Sequence, residues 1–400
     1  MKLLLLVVCC MISTSLAGLI DEEAKLETVL NEIDEVLQDL KAGDDAEPIG
    51  DILKPSHKQD SKGSSAMEEM LLHTENIDEA TAEVKAAGGH ILLQLGRNLL
   101  VAKVPSHVAK QNSFSQASAH ISSSASAETF RYAHAYWMAR EDDLKPQPPV
   151  QKWTEKTAPM VLKREDSDDI FRADSPYRQT MSGKIAVMVY TVSGPGSLLA
   201  ISNTEANKVY SECLRGLRFW SDAATVHGET LSFVLYDRLV QISAEDSTSC
   251  PSFDGCHNVF ADPVLKFYGF STGKAGKDQA AQKVKDYENA DGAFLAFISK
   301  YKQGHFAYAI SGGGPIYMQY SNDGWGPDQI DRLFAHETGH VFNAPDEYKS
   351  CDCSYIYGKG RCVAANTNCD TCTTNQAPCI MDVNDIDNLC EYTKRHVGWC

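Results

Sequence analysis

The stretch Ala335-His336-Glu337-Thr338-Gly339-His340-Val341-Phe342-Asn343-Ala344-Pro345-Asp346-Glu347-Tyr348 decides how this chain is read. His336 and His340 stand four apart, so on a helix both imidazoles leave the same face one turn apart, with Glu337 beside them. Ile330, Leu333, Phe334, Val341 and Phe342 give that helix an apolar side to bury. Asn343 tolerates the left-handed conformation of a helix end and Pro345 forbids further helix, so a sharp turn is expected there. The turn carries Asp346, six residues past His340, back toward the imidazoles.

Two histidines and a carboxylate meeting at one point are a ligand set for zinc, with a fourth position left to water. The plainer alternative is a buried histidine pair beside a solvated glutamate; the apolar helix face, the turn and the returning carboxylate together weigh against it. Glu347 competes with Asp346 as third ligand, and Asp382 or Glu391 would serve in a different arrangement. Glu337 is the expected general base, taking a proton from the attacking water and passing it to a leaving amine. Tyr348 is either an oxyanion donor or a buried hydroxyl beside the turn.

His336 to Asp346 resembles the extended zinc motif of the metzincin metallopeptidases, with Asn343 where that clan usually has glycine and Asp346 where it usually has histidine. The aspartate version occurs in part of the clan, such as the snapalysins. Cys379-Ile380-Met381-Asp382 is similar to the methionine turn that underlies the metal in these enzymes, although Val383 stands where some carry a tyrosine. The resemblance implies a zinc endopeptidase with a twisted mixed sheet, a zinc helix, a methionine turn and a closing helix, acting on protein or peptide substrates.

The pattern upstream agrees with an α/β or α+β fold. Lys184 to Val192 and Leu231 to Ile242 read as strands, Thr204 to Ala224 and Gly276 to Asn289 as helices, and Ala293 to Ser299 as a buried strand. His305 to Tyr320 holds two strand-like halves about Gly312-Gly313-Gly314, and Pro315 marks the second as a candidate sheet edge for pairing with an extended substrate, beside the plainer reading of a core strand. Asp385 to His396 is expected to close the chain as a helix.

Residues 1–17 have the charge, apolar core and small-residue end of a secretory signal, so the protein is expected to be exported. Residues 18–164 are expected to form a pro-region, inhibiting by a carboxylate or histidine or only assisting folding; no cysteine lies between the signal and Cys213, which excludes a thiolate plug of the matrixin kind. Within it Leu26 to Leu40 makes an apolar helical stripe, 43–63 a connector, and 66–105 a β-α-β-β unit with Asn76 as helix cap, weakly similar to small peptidase pro-regions. Ser113 to Glu128 and Lys145 to Pro149 read as linkers, with Tyr132 to Met138 between them apolar enough to pack. Lys163-Arg164 is a candidate cleavage point ahead of a catalytic domain over 165–400.

From Cys351 onward eight cysteines fall close together, which in an exported chain means disulfides stapling a loop-rich part; Cys-x-Cys and Cys369-x-x-Cys372 leave a structural zinc site as the alternative. Cys250 and Cys256 are placed to close a local loop, leaving Cys213 over. With 37 Lys and Arg against 54 Asp and Glu, the net charge of −17 argues against nucleic acid or an anionic membrane as partner, and no apolar run is long enough for a span. Asp323-Gly324 and Asp382 to Asn388 are rich in oxygen ligands but match no calcium loop, so calcium is unsupported, and the oligomeric state is not legible. The alternative to an endopeptidase is a secreted zinc-binding interaction or matrix protein that does not turn over substrate; the presence of Glu337 favours the enzyme.

Overall fold

A computed structural model describes residues 67–109, 126–145, 160–162, 176–178, 180–246, 253–322, 325–348, 351–353, 356–357, 362 and 364–400. The signal, the apolar stripe before residue 41, the connector, Lys163-Arg164, Cys250 and Asp323-Gly324 lie outside the described residues.

The elements in chain order are β1 (Met67–His73), α1 (Ile77–Ala86), β2 (His90–Leu95), β3 (Leu99–Pro105), α2 (Ser106–Ala109), α3 (Ala127–Leu144), β4 (Met160–Leu162), β5 (Gly183–Ser193), α4 (Gly196–Leu199), α5 (Asn203–His227) and β6 (Leu231–Gln241). There follow α6 (Phe253–Phe267), α7 (Gly273–Glu288), β7 (Gly292–Ser299), β8 (Ala307–Ile310), β9 (Ile316–Gln319), a 3-10 turn (Pro327–Gln329), α8 (Ile330–Val341), β10 (Ile356–Tyr357), β11 (Ala364–Ala365) and α9 (Glu391–His396). Nine strands form one mixed sheet in the order β1-β3-β2-β6-β5-β7-β9-β8-β4. The fold is α/β: β6, β5, β7 and β9 run parallel and helices cover both faces.

That double cover explains the strand sequences. Along β5, Ile185, Val187 and Val189 enter the core shared with α5 and α8, while Ala186, Tyr190 and Val192 enter the core under α6 and α7. Every residue of β7 is buried, so a run without polar alternation is what a central parallel strand requires. On the first face Gly216 of α5 lets α8 come close: a Cβ there would stand 2.7 Å from the Asp331 carbonyl oxygen.

The β-α-β-β unit forms as expected, with Asn76 Oδ1 accepting from the Glu79 amide at 3.2 Å, but it does not stand apart. β2 pairs in parallel with β6, from Leu93↔Phe233 to Leu95↔Leu235. α3 lays Tyr132 and Tyr136 into the same core as Trp220 and Phe334, and Arg131 pairs with the fully buried Asp237 of β6. The sheet therefore runs across the expected boundary between pro-region and catalytic domain.

Two expectations need correction. β9 is not an edge, since it pairs with β7 on one side and β8 on the other, and β4 pairs with β8 beyond it. Pro315 precedes the first strand residue, where no ladder amide is needed, so it carried no information about the edge. The closing helix is also shorter than expected, beginning at Glu391. Asp385 accepts from the Asp387 amide at 2.8 Å and from Asn388 Nδ2 at 2.6 Å, side-chain bonds that compete with helix over 385–390.

Candidate metal centre

α8 is buried along its whole length, so each polar side chain on it needs a partner. Its end is built for a reversal. The Ala344 amide donates to the Gly339 carbonyl at 3.0 Å and the Asn343 amide to the His340 carbonyl at 3.0 Å, with Asn343 at φ 68°. This is a Schellman stop with asparagine in the left-handed position. Two residues later Asp346 faces the histidines: its Oδ1 lies 3.2 Å from His336 Nε2 and 3.2 Å from His340 Nε2. The two Nε2 atoms are 3.0 Å apart.

The other ring nitrogens determine what this triangle is. His336 Nδ1 lies 3.0 Å from the Ile380 carbonyl and His340 Nδ1 2.7 Å from the Ala344 carbonyl. A carbonyl only accepts, so each Nδ1 carries a proton and each Nε2 faces inward, where it offers a lone pair whenever its ring is neutral. The two Nε2 atoms and Asp346 Oδ1 thus converge on one point, where two neutral rings and a carboxylate would leave no donor among them. Such a cluster is stable only around a positive charge. Three atoms 3.0–3.2 Å apart lie on a circle of radius about 1.8 Å, a spacing that a single cation with bonds of roughly 2.0–2.1 Å would span. The donor set fits zinc.

Electrostatics agrees. Although burial opposes it, the Asp346 carboxylate raises the His340 pKa to about 9, so without metal a proton on His340 supplies the missing charge. Asp346 is held well below the usual carboxylate range despite its burial, chiefly by His340. Burial lowers His336. Glu337 is fully buried, and burial raises its pKa well above normal, opposed by His340 and by a hydrogen bond from the Ala309 backbone.

The supports come from distant parts of the chain. Met381 lies under the helix, 2.8 Å by its sulfur from where a Cβ on Gly339 would stand, and the Asp382 amide closes the turn onto the Cys379 carbonyl at 2.9 Å. Tyr348 stacks on His336 with centroids 6.2 Å apart and gives its hydroxyl to Asp346, which is the buried-hydroxyl arrangement beside the turn. Glu347 turns away, bonded to Asn368 Nδ2 at 2.6 Å and Thr393 Oγ1 at 2.8 Å. Glu391 pairs with Lys394, and the carboxylate grouped with the two histidines is Asp346, not Asp382 or Glu391.

Sequence reasoning placed His336, Glu337, His340 and Asp346 together. It missed the Ile380 and Ala344 carbonyls, which carry no side-chain signal. Cys351–Cys369, Cys353–Cys372 and Cys362–Cys400 are disulfides, so these cysteines are not a zinc site; Cys256 is also disulfide-bonded and Cys213 is a buried free thiol. No helix among the described residues is long and apolar enough to cross a membrane. No protein-family model matches the chain, and no curated protein or solved structure matches it either.

Proposed function

We propose that this chain is a secreted zinc endopeptidase of metzincin-like design, with His336, His340 and Asp346 as ligands and Glu337 as general base. The observation that carries the reading is the triangle of two Nε2 atoms and one carboxylate oxygen, held from behind by backbone carbonyls. Zinc bound there would supply Lewis acidity to a peptide carbonyl and lower the pKa of water.

The chain's own residues account for the rest. Glu337 is adjacent to a proposed ligand, buried and raised in pKa, which suits a group that takes a proton from attacking water and returns it to the leaving amine. Tyr348 and the Ile380 carbonyl fix the ring plane of His336, and the Ala344 carbonyl fixes that of His340. The disulfides near the C-terminus suit an exported protein.

The test uses the protein from residue 18 onward, before and after treatment with a trypsin-like protease to cut at Lys163-Arg164. Hydrolysis of a denatured protein that stops with chelator and returns with zinc is expected. Glu337→Gln should abolish turnover yet keep the metal. Stoichiometric zinc without turnover in either form of the native sequence would instead establish a zinc-binding protein with a peptidase-like site.

A further inference from the structure

Eight cysteines lie between Cys351 and Cys400, and six of them are paired. The remaining two, Cys379 and Cys390, are reduced, buried and side by side. Both sulfurs touch the Thr393 hydroxyl, at 3.2 Å and 3.5 Å, and the Cys390 amide donates to Cys379 Sγ at 3.3 Å. With the Glu347 carboxylate they form one cluster whose ligand atoms lie within 4.8 Å of one another. Sulfurs this close are neighbours, which is the first requirement for a disulfide between them.

We propose that Cys379 and Cys390 form a disulfide in the exported protein, tying the methionine-bearing turn to the start of α9. Two thiols lose two protons and two electrons to a protein or small-molecule disulfide, which leaves as two thiols. The exchange takes place during folding, because both sulfurs are buried afterwards. Glu347 does not need the thiols. Asn368 Nδ2 at 2.6 Å holds one of its oxygens and Thr393 Oγ1 at 2.8 Å the other, so oxidation removes weak S–H contacts and leaves the buried carboxylate bonded at both atoms.

The bond has a consequence at the metal centre. Ile380, next to Cys379, presents the carbonyl that accepts from His336 Nδ1, and its own amide donates to the Asn388 carbonyl at 3.0 Å, two residues before Cys390. A covalent link between 379 and 390 closes the small loop that carries both contacts. It thereby holds the support of one metal ligand in place, which makes the two cysteines positioning residues.

The deciding experiment is thiol mapping of the full-length protein secreted from cells, denatured and alkylated without reductant, then digested. The peptides containing Cys379 and Cys390 should appear cross-linked, while Cys213 is alkylated. Alkylation of both Cys379 and Cys390, a link from either to another cysteine, or a second equivalent of zinc released with both thiols would overturn the proposal. Mapping needs neither turnover nor metal at the histidines, so it stands apart from the proposed activity. In a chelator competition, Cys379→Ser with Cys390→Ser should weaken zinc binding at the histidine site about tenfold or more; unchanged affinity would refute the positioning role.

Discussion

At the scale of single residues, the centre is governed by where protons sit. His340 has a pKa raised to about 9 from 6.5 by Asp346, whose own pKa is lowered from 3.8, so without metal this ion pair stabilises the fold fully between about pH 4 and 6.5, is lost as pH rises through about 9, and weakens again as pH falls below about 4. A metal bound there would have to displace that proton. Zinc binding at pH 7.5 should release about one proton, measured by calorimetry in buffers of different ionisation enthalpy; identical heats in all buffers would contradict the assignment. Asp346→Ala removes the only anionic ligand and should lower zinc affinity by about 100-fold or more by analogy with ligand-support losses, read by chelator competition, whereas Glu337→Gln should leave affinity within a few-fold. The histidine pair and Glu337 were legible because a helix puts positions four apart on one face. The tautomers were not, because they depend on carbonyls that no side chain announces.

At the scale of elements, α8 works because two glycines let its neighbours approach. A Cβ on Gly216 would meet backbone, the Asp331 carbonyl oxygen at 2.7 Å and the Ala335 amide nitrogen at 3.1 Å, which cannot move aside. Gly216→Ala should therefore cost about 1–3 kcal/mol in spite of alanine's higher helix propensity, and a denaturant melt with an unchanged or raised midpoint would show the crossing to be looser. At the helix end, Asn343→Val places a β-branched residue at φ 68° and should cost about 1–2 kcal/mol, while Asn343→Gly should be neutral or stabilising. The stop at Asn343 and the cap at Asn76 were readable because both are local chain chemistry. The edge reading of β9 failed because the order of strands in a sheet is not written in any one strand, and the closing helix was overextended because aspartate side chains competed for its first amides.

At the scale of the whole molecule, residues 67–109 and 126–145 belong to the same body as the candidate metal centre. β2 is an inner strand beside β6, and Leu92, Leu93, Tyr132 and Tyr136 share a core with Trp220, which donates its indole N–H to the Ala335 carbonyl of α8 at 2.8 Å. A chain beginning at residue 165 should be insoluble or lack cooperative unfolding, where residues 65–400 fold. After cleavage at Lys163-Arg164 the two pieces should co-elute in gel filtration, since the shared sheet and core need no peptide bond to persist; separation into a free, active C-terminal piece would refute this. Arg131→Met strands the buried Asp237 carboxylate and should cost about 3–5 kcal/mol, checked by the shift in denaturant midpoint.

The sequence by itself determined what lies within a few residues along the chain: the paired imidazoles, the base beside them, the turn after Asn343, and strands and helices whose periodicity repeats over short windows. Tertiary structure alone decided which carboxylate completed the triangle, which carbonyls fixed the rings, which cysteines paired, and that the N-terminal strands joined the central sheet. Those outcomes depend on shared burial and hydrogen bonding between segments far apart in sequence, and no local period encodes which of them meet.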